Sequence, residues 1–212
     1  MRDLIILGGG VHSAEMVEIV ERINRSAPTW NLVGCLSPHE SRAGDERNGC
    51  PILGTAEAIS RYPNAAFVPD NEWKLPLPRS DRLVSLIDPS VFLARSARIG
   101  PGCVVYPNGF IGFDASLGER VFCLSGAVIN HHCGIGDRVV LASCVTLAGH
   151  VTVEQDCYLG QSCSVKQYVR IGTGCLVGMG AVVIRDVPAG STVVGNPGRA
   201  LQRPPHHRLV DE

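Results

Sequence analysis

The 212-residue sequence contains no run of eighteen apolar residues, so a helix spanning the ~30 Å hydrocarbon core of a bilayer is not expected. It has no excess of either charge, with 19 Lys and Arg against 20 Asp and Glu. Neither nucleic acid nor an anionic membrane surface is therefore an expected partner. The nine cysteines include no C-x-x-C pair. A zinc ribbon or dithiol redox motif is not expected, and no metal is assigned. The opening Met1-Arg2-Asp3-Leu4 lacks the charged and apolar regions of a signal peptide, which points to a cytoplasmic location. Aromatics are sparse, at 5%.

Glycine is plentiful, with 24 residues, and its placement is regular. From Ile87 every sixth residue is aliphatic or, once, cysteine: Ile87, Leu93, Ile99, Val105 and so on through Cys123 to Val177 and Val183. Four residues after each comes a smaller residue, such as Ala97, Cys103, Ala115 or Cys133. Glycine often follows the aliphatic directly, as at Gly100, Gly112, Gly118, Gly136, Gly160, Gly172 and Gly178. A helix repeats near 3.6 and a strand at 2. An unbroken period of six fits a solenoid of short strands and corners, in which the aliphatic points inward. The glycine after it is expected to supply backbone angles that a side chain forbids. Three hexads per triangular coil give between five and six coils, a prism roughly 25 Å tall at ~4.8 Å per strand spacing. The same phase puts Cys103, Cys133, Cys157, Cys163 and Cys175 at the small corner position, where buried thiols are good filler.

The N-terminal part reads differently. An apolar run, Leu4 to Leu7, is followed by Gly8-Gly9-Gly10-Val11-His12 and then by a helical pattern with Met16, Val17, Val20 and Ile23 on one face. Strands are expected at 31–36 and 65–68, with a short helix capped by Thr55 between them. Strand, glycine turn and helix is how α/β domains present backbone N–H groups to phosphate, although the full G-x-G-x-x-G is absent and a tight structural turn fits equally.

The unbroken [LIV]-G-x-x-x-x hexads resemble those of the left-handed β-helix acyltransferases, and the closing stretch Val187-Pro188-Ala189-Gly190-Ser191 to Asn196-Pro197-Gly198-Arg199 is similar to that family's ending. With the glycine turn ending in His12, the Pro51-Ile52-Leu53-Gly54 segment and Asp70-Asn71, the whole chain resembles bacterial sugar acetyltransferases of the sialic-acid O-acetyltransferase and bacillosamine N-acetyltransferase type. The resemblance implies an α/β Rossmann-like half (1–84), a left-handed parallel β-helix (85–195) and a short tail (196–212). It also implies acetyl-CoA as acyl donor, a nucleotide-sugar acceptor, and a homotrimer with its sites between subunits. Three features depart from the family: Val11-His12 for Gly-His, Ser37-Pro38 where an acidic pair usually ends the second strand, and Pro76 and Pro78 where a helix usually follows Asp70-Asn71. Proline in a helix interior costs ~3 kcal/mol, so that helix is expected to be lost.

Site residues follow from the same resemblance. Asn130-His131-His132-Cys133-Gly134 matches the segment carrying the family's catalytic His, which assigns His131 as general base. An imidazole titrates near neutrality and suits removal of a proton from an attacking amine or hydroxyl. The family's carboxylate partner is replaced by His132, leaving Glu119 and Asp137 as other candidates to orient the base. Gly149, Gln161, Gly178, Met179 and Arg199 are the implied acetyl-CoA contacts. Positions 131 and 149, and 161 and 179, are each eighteen apart, which predicts one vertical groove. Gly8, Gly9, Gly10, His12 and Ser37 are the implied acceptor contacts. Cys133 beside His131 suggests a Cys–His nucleophile, but its corner position predicts burial. His150 reads as a surface residue. An acceptor without a nucleotide, another acyl-CoA and a non-catalytic trimeric scaffold remain open readings. A three-histidine metal site is disfavoured on the ground that neighbours on a strand point to opposite faces.

Overall fold

The computed structural model describes residues 1–39 and 44–201; residues 202–212 of the expected tail lie outside the described residues. A small α/β unit comes first. Strands β1 (Arg2–Leu7), β2 (Trp30–Leu36) and β5 (Ala66–Pro69) form a parallel sheet in the order β2-β1-β5. Helix α1 (Val11–Ser26) covers it with Met16, Val17, Ile19 and Val20 buried. A two-stranded hairpin, β3 (Glu46–Arg47) and β4 (Cys50–Pro51), leads to a 3-10 helix, Ala56–Arg61. Thr55 stands at that helix's N-cap without a side-chain bond. No helix follows Asp70-Asn71 until a 3-10 turn at Ser80–Arg82, as Pro76 and Pro78 require.

The hexads form the parallel β-helix. Seventeen two-residue strands, β6 (Leu86–Ile87) to β22 (Val182–Val183), recur every six residues and assemble into three parallel sheets. Strands stack in a register of eighteen, with Phe110 opposite Val128 and Val128 opposite Thr146. The eight-stranded sheet ends in β23 (Thr192–Val194) and the antiparallel β24 (Arg199–Ala200). The second residue of each strand points inward, and from Val105 onward all are buried, as are the small residues four positions later. The lowest coil is more open, with Leu93 41% exposed.

The glycines after the aliphatics do not supply unusual backbone angles, contrary to expectation. The left-handed conformation falls two residues later, at Asp114, Arg120, His132, Arg138, His150 and their equivalents. What those glycines provide is closeness between coils. A Cβ on Gly100 would lie 2.4 Å from the carbonyl oxygen of Gly118, and one on Gly136 2.5 Å from the amide nitrogen of Gln155. Stacked corners approach too tightly for a side chain there.

The two parts share one apolar cluster, in which Met16, Val17 and Val20 pack with Leu86, Val104 and Phe122. The outward faces of the lower eight-stranded sheet are thus covered by α1. Arg22 on α1 adds a bidentate ion pair to the buried Asp88, at 2.5 and 3.0 Å. Burial pushes the Asp88 carboxyl up, but bonds from Arg22 and Ser90 and the guanidinium charge together hold it below its ordinary value. A depressed folded-state pKa stabilises the fold above the ordinary aspartate value of about 3.9, and that contribution is lost as pH falls through the depressed folded value. Arg22→Met is therefore expected to lower the Tm at pH 7, with the gap to wild type closing as acidification passes below the ordinary aspartate value of about 3.9. Melting curves at both pH values check this; a gap independent of pH would assign the loss to the Arg22 aliphatic stem.

Candidate functional site

His131 and His132 sit at the corner after β13 (Val128–Ile129), where the chain turns from the six-stranded to the five-stranded sheet. His132 adopts φ +59°. Corner backbones are laddered: His132 N donates to Phe113 O, His150 N to His131 O and Tyr168 N to Gly149 O, at 2.8–3.1 Å. This ladder places Asp114, His132, His150 and Tyr168 one above another. Their rings stack accordingly. His132 lies on His150 at 4.6 Å and 15°, and His150 on Tyr168 at 4.8 Å and 16°. Phe113 meets the His132 ring edge-on at 5.6 Å.

His131, one residue earlier, is perpendicular to this column, and its Nδ1 lies 3.1 Å from His132 Nδ1. Its ring occupies the space above Gly149. A Cβ on Gly149 would fall 2.5–3.1 Å from three of its ring atoms. The eighteen-residue arithmetic thus holds for this pair, and Gly149 makes room for the His131 ring. His150 is not an isolated surface residue. Desolvation, then the charges of His132 and His131, lower its pKa, so it stays neutral at neutral pH.

The expectation that His131 and His132 diverge is overturned, because a left-handed corner, unlike a strand, lets neighbours converge. One nitrogen from each of His131, His132 and His150 lies within 4.8 Å of the others. The ring planes nevertheless argue against a chelate. His132 and His150 are nearly parallel, so their in-plane lone pairs run side by side and do not meet at one ion.

Cys133 is buried, its Sγ 3.1 Å from Ala148 O, and burial raises its pKa. It is core filler. Asp137 accepts a bond from Glu119 N at 2.8 Å, and both follow strands of the five-stranded sheet, β11 (Ser116–Leu117) and β14 (Gly134–Ile135), one corner beyond the histidines. Neither shares the corner of His131. The carboxylate beside the cluster is Asp114, with Oδ2 3.8 Å from His132 Nε2. Asp114, His150 and Tyr168 were missed as site residues, although stepping by eighteen from His132 finds all three.

The residues expected to contact acetyl-CoA do not share one groove. Gln161 and Met179 are neighbours, since Gly180 N donates to Gln161 O. They follow β18 (Tyr158–Leu159) and β21 (Leu176–Val177) of the eight-stranded sheet, on a different prism edge from His131 and Gly149. Positions 149 and 161 differ by twelve, two corners of three, which the pairwise eighteens concealed. Met179 is 74% exposed. Gly178 backs onto the Val194 side chain, and the exposed Arg199 lies on β24 at the end of the eight-stranded sheet.

Of the residues expected to contact the acceptor, the structure gathers Gly8, Gly9, Gly10 and Ser37 at the carboxyl ends of β1, β2 and β5, where open parallel sheets bind ligands. Gly8 adopts φ +155°, and a Cβ there would meet Asp70 at 1.9 Å. Ser13 donates to the same carboxylate at 2.7 Å, and burial raises the Asp70 pKa. Ser37 is fully buried and accepts a bond from His39 N at 3.1 Å. The crevice between Gly9, Gly10, Ser37 and Glu72 holds about 50 Å³. His12 points elsewhere, packing edge-on against Phe122 at 5.4 Å, where α1 meets the β-helix. A cavity of about 520 Å³ opens beside Asp70, between Asn71, Trp73 and Lys74 on one side and Arg120, Arg138 and Tyr158 of the β-helix on the other.

No protein-family model and no curated protein matches the sequence. Solved structures do. A variant of perosamine N-acetyltransferase from Caulobacter crescentus, in complex with CoA and GDP-perosamine, is 27% identical with a TM-score of 0.82 over 96% of this chain and 98% of that one. The acetyltransferase domain of PglB from Neisseria gonorrhoeae, with acetyl coenzyme A, is 25% identical with a TM-score of 0.81 over 94% and 99%. WeeI from Acinetobacter baumannii shares the fold at 22% identity and a TM-score of 0.76, over 95% and 100%. Over nearly its whole length the chain therefore matches the hexapeptide-repeat sugar acetyltransferases in structure.

Proposed function

We propose that this protein is an acetyl-CoA-dependent acetyltransferase that acts on an amino or hydroxyl group of a nucleotide-activated sugar, the amine being favoured. The observation that carries this reading is the end-to-end similarity to an enzyme crystallised with CoA and GDP-perosamine. In this reading His131 Nε2 takes the proton as the acceptor nitrogen or oxygen attacks the thioester carbonyl. The tetrahedral oxyanion then collapses and expels the CoA thiolate, which takes up a proton. No covalent acyl-enzyme is needed. The coil is left-handed, the α/β unit is a Rossmann-like acceptor domain and the location is cytoplasmic.

The acceptor enters the 520 Å³ cavity, whose volume falls in the usual ligand range of about 300–1,000 Å³. The crevice at Gly9 and Gly10 is too small for a nucleotide by itself, and Asp70 lines both it and the cavity. Gly149 beside the base, and Gln161 with Met179 on the other edge, hold the donor. Two edges of one prism form a single site when a rotational assembly sets one copy's edge against the next copy's other edge. A homotrimer with three such sites follows.

A thermal-shift screen with acetyl-CoA and GDP-, UDP-, CMP- and dTDP-sugars, alone and in pairs, tests the proposal. A ligand at about 100 times its Kd stabilises the folded state by ~2.7 kcal/mol, a shift of roughly 5–10 °C at this size. Shifts with acetyl-CoA and with one sugar class are expected. A shift with acetyl-CoA alone would remove the nucleotide from the acceptor and make Ser37-Pro38 the mark of a changed site. No shift with any of them would overturn the enzyme reading.

A further inference from the structure

We propose that Asp114 orients the base through His132, so that Asp114, His132 and His131 form a relay of one carboxylate and two imidazoles. The inference rests on the assignment of His131 as base. Among the described residues the carboxylate nearest the pair contacts His132, so the negative charge stands one coil below and reaches the base through a second ring.

Two neutral imidazoles whose Nδ1 atoms lie 3.1 Å apart cannot both donate or both accept, so one Nδ1 carries the proton and the other a lone pair. Two arrangements are open. In the first, His132 donates from Nδ1, which places the proton of His131 on Nε2 and leaves no lone pair to receive a substrate proton. In the second, His131 donates from Nδ1 and its Nε2 is free. Asp114 Oδ2, 3.8 Å from His132 Nε2, selects the second. The carboxylate favours a proton on His132 Nε2, so His132 Nδ1 becomes the acceptor and His131 must donate to it. The His132 ring is held in this orientation by His150 and Tyr168 stacked beyond it and by the edge contact of Phe113. Asp114 and His132 are positioning residues, and His131 alone meets the substrate.

This arrangement makes a prediction that a merely structural role does not. Asparagine at 114 can turn an N–H toward His132 Nε2, which drives the proton to His132 Nδ1 and selects the unproductive arrangement. Alanine only removes the preference. Asp114→Asn is therefore expected to be the more damaging substitution, although it is the closer in shape. An aspartate-to-asparagine change in the serine-protease triad acts by the same loss of the productive tautomer.

The test is the ¹⁵N spectrum of the imidazoles in the full-length, histidine-labelled protein at pH 8. His131 Nε2 is expected in the unprotonated position in wild type, in the protonated position in Asp114→Asn, and averaged between them in Asp114→Ala. A kinetic arm with acetyl-CoA and GDP-perosamine is expected to show kcat falling roughly tenfold or more in Asp114→Asn, and less in Asp114→Ala, with KM unchanged within about twofold. His131 Nε2 unprotonated in all three proteins would overturn the relay, as would alanine more damaging than asparagine. If His131→Ala retains full activity, the base assignment fails, while the spectra still decide whether the relay exists.

Discussion

His131→Ala is expected to lower kcat by roughly 10²–10⁴-fold, the usual worth of a positioned general base. The KM for acetyl-CoA should change little, since the imidazole acts on the proton lost in the transition state and not on the bound donor. The fold should be indifferent to the change. His131 is exposed and its backbone bonds to the adjacent coil do not involve the side chain, so stability should stay within about 0.5 kcal/mol of wild type. Steady-state kinetics beside a melting curve separate the two effects. Wild-type kcat in this variant would remove His131 from the mechanism.

Gly149→Ala is expected to cost about 10²-fold in kcat without loss of stability. Gly149 does not occupy the left-handed region, and the atoms its Cβ would meet are Cε1, Nε2 and Nδ1 of His131. The backbone accepts alanine, and the imidazole has to move. A misplacement of about 1 Å at a reacting group can cost 10²-fold, while removing a glycine from the unfolded chain favours folding by ~0.4–1 kcal/mol. Gly136 makes the contrast. Its Cβ would strike the backbone at Gln155 N and Glu154 C, 2.5 and 2.8 Å away, which no rotamer change can relieve. One glycine serves the site and the other serves the stack. A Tm drop in Gly149→Ala with unchanged kcat would reverse that assignment.

The β-helix was legible because its determinant is local and repeated. An inward aliphatic every six residues and a small residue four later express the steric needs of a three-sided coil, and each coil meets only its neighbours. Phase alone also accounted for the buried cysteines of the β-helix, Cys133 included. The α/β unit was read almost as well at β1, α1, β2 and β5, where apolar runs and glycine or proline stops mark the ends. The Ala56–Arg61 segment forms a 3-10 helix, a distinction of one hydrogen bond that residue pattern does not carry.

The site was only half legible. Hexad phase stated which residues share a corner, so His131 with Gly149 and Gln161 with Met179 were each paired correctly. Placing the two pairs in one groove failed because a difference of twelve moves the chain two corners around the prism. The role given to the glycines failed for a related reason. Residue type indicates that a side chain is excluded, not whether backbone angle or a neighbouring coil excludes it. At the corners, tolerance of φ near +60° by His132, Arg138 and Tyr168 freed glycine for the contact positions. By itself the sequence determined the coil, its register and which residues share a corner, because these depend on periodic side-chain volume along the chain. Only the tertiary structure decided that Asp114, His132, His150 and Tyr168 form one stacked column with His131 beside it. That outcome depends on left-handed corners stacked by backbone hydrogen bonds, which turn residues eighteen apart into neighbours and let adjacent side chains converge.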